Sequence, residues 1–171
     1  MMNKGFTVVE SLVAITILVL AVTGTTSAVQ TGLNSHIYSK DQIVAFYLAQ
    51  EGIEQIRSLR DENGLNSNNW LAGIAEDSSD PCYFGKYCIA DIWSYTLSAC
   101  PGGAGSCSAL RQNSTNGSFG YDVSWPLSIY KREISLSAVS ANEVSVLVSV
   151  TWSKGTSQRE FRIRENIFNW Q

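Results

Sequence analysis

The chain has 171 residues, of which 16% are charged and 44% apolar, a balance that excludes a disordered, solvating polymer. That length builds one compact domain with an appendage and is too short for two well-buried enzyme domains. Fifteen acids against twelve bases give a formal net charge of −3, so the chain offers no overall electrostatic footprint for nucleic acid.

The first predicted element follows a short leader, residues 1–5, whose one charged side chain is Lys4. From Phe6 to Val22 runs FTVVESLVAITILVLAV, 17 residues interrupted only by Thr7, Glu10, Ser11 and Thr16. At about 1.5 Å per residue this helix reaches roughly 26 Å, close to the roughly 30 Å of a bilayer's hydrocarbon core. Lys4 would stay on the cytoplasmic side by the positive-inside rule, and the remainder of the chain would be exported. The alternative is an exported soluble binding protein with a conventional signal peptide, Lys4 in its basic region and Thr26-Ser27-Ala28 as the cleavage site near Ala28. Glu10 argues against that alternative, because an acid in the apolar run costs roughly 2.5 to 3.5 kcal/mol on insertion scales and needs a partner. A cut after Gly5 supplies one: the new α-amine of Phe6 is cationic below a pKa of about 8, and Glu10 sits at the positive end of the helix dipole.

The residues Lys4-Gly5-Phe6-Thr7-Val8-Val9-Glu10-Ser11-Leu12-Val13-Ala14 resemble the amino-terminal signature of type IV prepilins and type II secretion pseudopilins. The resemblance covers about the first 20 residues. It implies cleavage by a membrane prepilin peptidase between Gly5 and Phe6, methylation of the Phe6 amine, and pairing of Glu10 with a neighbouring subunit's amine during assembly. It also implies a pilin-like fold, with other pilin subunits, the prepilin peptidase, an inner-membrane assembly platform and the membrane as partners.

Residues 6–27 are thus expected to form a hydrophobic transmembrane or filament-core helix, loosened or bent at Thr23-Gly24-Thr25-Thr26-Ser27 by Gly and β-branched residues. Residues 28–62 continue as an amphipathic helix, with Leu33, Ile37, Val44, Leu48, Ile53, Ile56 and Leu59 recurring mostly at intervals of three, four or seven. Arg57 has Glu54 and Asp61 at helical distance, and Asp61-Glu62-Asn63-Gly64 reads as the helix exit. The phrase Ala45 to Arg57 also resembles the helix of minor pilins and small pseudopilins.

Residues 63–121 are rich in Ser, Asn, Asp and Gly and read as loops with short ordered pieces. Six acids between Asp61 and Asp91 face Lys86 alone, whereas six bases (Lys131, Arg132, Lys154, Arg159, Arg162, Arg164) outnumber four acids between Lys131 and Glu165. Two solvated faces are the simple reading, and complementary surfaces between subunits the sharper one. Cys82, Cys88, Cys100 and Cys107 lack Cys-x-x-Cys spacing and suggest disulfides in an oxidising compartment. Three pairings are open; Cys82 with Cys88 and Cys100 with Cys107 would close two short loops. Gly102-Gly103-Ala104-Gly105-Ser106 lacks the Gly-Lys-Ser/Thr ending of a phosphate loop.

Residues 122–171 read as an antiparallel sheet. Arg132 to Ala138 alternates polar and apolar, Val144, Val146, Val148, Val150 and Trp152 share one face, Ser153 to Ser157 turns, and Phe161, Ile163 and Ile167 return opposite Arg162 and Arg164. With one face covered by the amphipathic helix, the fold class is α+β, a long N-terminal helix on a C-terminal antiparallel sheet.

Little material for catalysis is present, and no cofactor or metal is expected. His36 is the only histidine and has no nucleophile or carboxylate cluster nearby in sequence. Glu76, Asp77 and Asp80 lack the spacing of a calcium loop. Trp70, Trp93, Trp125, Trp152 and Trp170 offer either core packing or an adhesive surface for glycans or single-stranded DNA. The expectation is a structural subunit rather than an enzyme, first in the inner membrane with its C-terminal domain exported and then in an extracellular or periplasmic filament.

Overall fold

In a computed structural model describing Gly5 and residues 7–169, one helix precedes a seven-stranded antiparallel sheet, the α+β architecture expected. Helix α1 spans Val8–Leu65, 58 residues. Thr7 caps it: its carbonyl accepts from Ser11 N (3.1 Å) and its hydroxyl from Glu10 N (3.2 Å). The helix continues through Thr23–Ser27, where a loosening was expected. There the threonine hydroxyls donate to carbonyls one turn back, Thr23 Oγ1 to Val19 O and Thr26 Oγ1 to Val22 O, both at 2.8 Å, so they propose no competing turn. The exit falls at Leu65, one residue past the expected Gly64, and Ser67 then adopts a left-handed φ of 57°.

The chain separates into two compact units at Gln42. In the first, every described residue from Thr7 to Lys40 is exposed. The second, from Ile43 onward, contains the rest of α1 and the whole sheet.

The sheet is organised around β5 (Leu127–Ser140). One edge of β5 pairs along its length with β6 (Glu143–Lys154), which pairs in turn with β7 (Ser157–Phe168). The other edge is shared by two short strands, β1 (Tyr87–Asp91) opposite Ile134 and Ser135, and β3 (Ala109–Gln112) opposite Leu127 and Lys131. Strands β2 (Thr96–Ala99) and β4 (Phe119–Gly120) extend these outward. Residues 63–121, expected as loops, therefore supply four of the seven strands. They are too short and too interrupted by polar residues to show period-two alternation. The β6–β7 turn uses Gly155 at φ 61° in a two-residue connection, the position where a positive φ is needed.

One face of the sheet is apolar and meets α1. Val144, Val146, Val148, Val150 and Trp152 are buried together with Ile134, Leu136 and Tyr130, against Ala45, Leu48, Ala49, Ile53 and Ile56. Each fully buried Val or Ile contributes about 1.5 to 3 kcal/mol. The approach is closest at Gly52: a Cβ there would stand 3.2 Å from both Arg132 Cδ and Val148 Cγ1. Any larger residue at this point would push these two side chains by a few tenths of an ångström.

Candidate functional site

The amino-terminal segment is the candidate. Gly5 is exposed, with nothing within 4 Å of where its Cβ would stand. Phe6, the expected new terminus and methylation site, lies outside the described residues, as do Lys4 and Trp170. Glu10 occupies the third helical position, where the free N–H groups and the helix dipole favour an acid. Its side chain is exposed and has no ion-pair partner among the described residues. The pattern Thr7-x-x-Glu10 is itself a helix-start signal, and only its first half, the Thr7 hydroxyl to Glu10 N bond, is formed.

From Val8 to Val22 the large apolar side chains point outward on every side of the helix, Leu20 at 72% exposure. A helix apolar all round belongs in lipid or inside a bundle. This one is long and apolar enough to cross a membrane. Its polar groups are also prepared for a dry environment. The hydroxyls of Ser11, Thr16, Thr25 and Thr31 each donate to a carbonyl three or four residues back, at 2.8 to 3.3 Å. These are the bonds a hydroxyl needs where water is absent.

In the second unit, the four cysteines form two disulfides, Cys82–Cys88 and Cys100–Cys107, and no free thiol remains. The first is buried in the core. The second closes the glycine-rich loop, where Glu133 accepts from Gly105 N (2.8 Å) and Cys107 N (3.1 Å). A carboxylate already occupies the amides a phosphate would need, which removes the phosphate-loop reading on physical grounds.

Arg132 is the side chain that sequence reasoning misplaced. Counted among the surface bases, it is 1% exposed. Its Nη1 donates to Leu48 O (2.9 Å) and Glu51 Oε2 (2.7 Å), and its Nη2 to Ala90 O (2.7 Å). One guanidinium thus ties α1, β5 and β1 together, over the gap that Gly52 leaves open. The sequence signal was parity: Arg132 shares its face of β5 with Ile134 and Leu136, both buried. Beside it, the Tyr121 hydroxyl is buried, and burial raises its pKa above the ordinary value, opposed by the neighbouring Arg132 guanidinium.

Arg57 meets its expected partner Glu54 but not Asp61. It pairs with Glu54 (2.6 Å) and with Glu165 of β7, while Asp61 pairs with the neighbouring Arg60 (2.7 Å). Glu165 lies opposite Val146, on the helix-facing row of the sheet, and so reaches Arg57 from across the interface. These ion pairs line a groove of about 870 Å³ between the end of α1 and β7. His36 is exposed on α1, and among the described residues no group of three His, Cys, Asp or Glu side chains comes together as a metal site.

Of the tryptophans, Trp152 and Trp70 belong to the core. Trp93 and Trp125 instead meet edge to face, 6.1 Å between centroids and 82° between planes, at an open cleft. Comparison with protein-family models, curated proteins and solved structures finds no match to the chain.

Proposed function

We propose that the protein is a prepilin-type subunit, minor or major, of a type IV pilus or related secretion filament, cut after Gly5 and assembled through its amino-terminal helix. The observation that carries this reading is the coincidence in one element of a wholly exposed apolar run, Val8 to Val22, with an acid in its first turn that has no partner among the described residues. A signal peptide has no use for that acid, whereas a helix that moves from lipid into a bundle of like helices does. Pairing Glu10 with the Phe6 amine of an adjacent subunit neutralises two charges in a dry environment and fixes the axial register of the bundle. The role is structural rather than catalytic. Two disulfides support an exported second unit, in which they close the short loops before β1 and after β2.

The test is to produce the chain in a host with a complete pilus machinery and to measure its recovery in sheared filaments, comparing wild type with Glu10→Leu and Glu10→Asp. The reading predicts membrane insertion of all three, with filament recovery lost in Glu10→Leu and partly retained in Glu10→Asp. Equal recovery of the three as soluble periplasmic protein would instead support the exported binding protein cleaved near Ala28.

A further inference from the structure

We propose that the cleft beside Trp93 and Trp125 binds a neutral saccharide, with the exposed Trp93 indole as stacking platform and the Asp91 and Asp122 carboxylates accepting ligand hydroxyls. This site is independent of the filament reading.

The first argument is a fixed yet exposed aromatic. Trp93 keeps 58% of its surface accessible, an arrangement that gains little from burial. It is nonetheless held at three points: its Nε1 donates to Phe119 O (3.0 Å), its backbone N donates to Asp91 Oδ1 (3.1 Å), and its ring abuts Trp125. Gly120 makes this packing possible, because a Cβ there would stand 2.9 Å from Trp93 Cδ1 and 3.0 Å from Trp125 Cζ3. The loop bearing Trp93 also holds Tyr95 at a φ of 53°, a costly conformation for a bulky residue. A ring immobilised before binding loses little entropy when a ligand stacks on it.

The second argument is the polar lining. Asp91, Ser94 and Asp122 are the polar groups of the cleft, beside the two indoles and the ring of Tyr121, and no lysine or arginine lines it. Arg111 is used elsewhere, its Nη1 donating to the carbonyls of Val123 (3.3 Å) and Trp125 (2.6 Å) and so tying down the loop that carries Trp125. Asp122 Oδ1 accepts from the backbone N and the hydroxyl of Ser124, bonds that lower the carboxyl pKa and keep it ionised. Two carboxylates in a lining that holds no lysine or arginine disfavour phosphate, even with the Arg111 charge near Asp122, and therefore the single-stranded DNA reading of the tryptophans. The cages that enclose quaternary ammonium ligands converge rings from several sides, whereas here two rings meet edge to face at an open surface. Flat aliphatic faces and hydroxyl donors, the two chemistries of a sugar ring, match what remains.

The third argument is extent. The cleft holds about 380 Å³, and two further clefts of about 340 and 360 Å³ also include Trp93, reaching Tyr47 and Phe119 in one and Tyr95 in the other. A chain of several sugar units therefore suits the site better than a single ring.

The experiment uses the full chain in a polyoxyethylene detergent, whose headgroup carries no sugar. Maltohexaose, cellohexaose and chitohexaose are titrated separately, read by tryptophan fluorescence and saturation-transfer NMR. The proposal expects at least one to bind with a Kd below about 1 mM. That affinity should fall about tenfold in Trp93→Ala and severalfold in Asp122→Asn, with Trp93→Phe, which keeps a ring, in between. Absence of binding by all three sugars overturns it, as does an affinity unchanged in Trp93→Ala, or tighter binding of tetramethylammonium or an oligothymidylate than of any sugar.

Discussion

The two halves of α1 have the same backbone and opposite surroundings. From Val8 to Lys40 every residue is exposed, whereas from Val44 to Arg60 the helix buries Ala45, Leu48, Ala49, Gly52, Ile53, Gln55 and Ile56 beneath the sheet. The second half therefore draws its stability from tertiary packing within the chain, as most protein helices do. The first half has the composition of a buried helix without burial inside the chain, and on the proposed reading lipid or other subunits would cover it. One continuous helix thus serves two environments, and each can be perturbed separately.

The largest separation is expected from Glu10→Leu. Filament recovery should fall by more than about tenfold, the cost of an unneutralised charge in a dry bundle being several kcal/mol. Denaturant stability of the full chain in detergent should change by less than about 0.5 kcal/mol, because the side chain is exposed. A loss of stability in step with the loss of assembly would merge the two halves.

Next comes Arg132→Ala, whose effect should be confined to the second half. It removes three charge-assisted bonds to α1 and β1 and leaves a cavity under Gly52, costing about 3 to 5 kcal/mol in chemical denaturation. That is a large share of the 5 to 15 kcal/mol or so typical of a domain. Membrane insertion of the first half should be untouched.

Removing the Cys82–Cys88 disulfide by the double serine substitution should cost about 2 kcal/mol, given a loop that spans a sequence separation of 6. Thiol reductant on the wild type should give that shift plus the one due to the Cys100–Cys107 bond, and on the variant only the latter.

The smallest effect is a pH profile. Burial raises the Tyr121 pKa above its ordinary value near 10, so the folded state keeps a proton that the unfolded state releases first. Its contribution is fully present below pH 10 and is lost as pH rises through the folded pKa. Tyr121→Phe should flatten that alkaline decline and leave neutral-pH stability nearly unchanged, since the buried hydroxyl is at best weakly bonded. An unchanged alkaline slope in the variant would assign the decline elsewhere.

The fold class, the long helix and strands β5 to β7 were legible because each is long and strictly periodic, Val144 to Trp152 most of all. Strands β1 to β4 were hidden because a strand of two to five residues carries too few positions to show a period, and β1 and β3 join the sheet only through β5, further along the chain. The cysteine pairing could not be chosen by counting, since it depends on how β1 and the 100–107 loop meet β5. Arg132 was misread because residue type outweighed parity: a charged side chain suggests solvent, yet its position in the alternation placed it under the helix. Gly5, Phe6 and Glu10 were read from a local motif, and that motif describes an event of processing and assembly to which a single folded chain gives no partner.

The most direct test of the central claim is therefore the mature amino terminus. Intact mass and amino-terminal sequencing of the protein recovered from the cell envelope and from sheared surface material should give a chain that begins at Phe6 and is heavier by one methyl group. A chain beginning at Val29 would contradict the account, because the exposed apolar half of α1 would then be a discarded signal rather than the filament core.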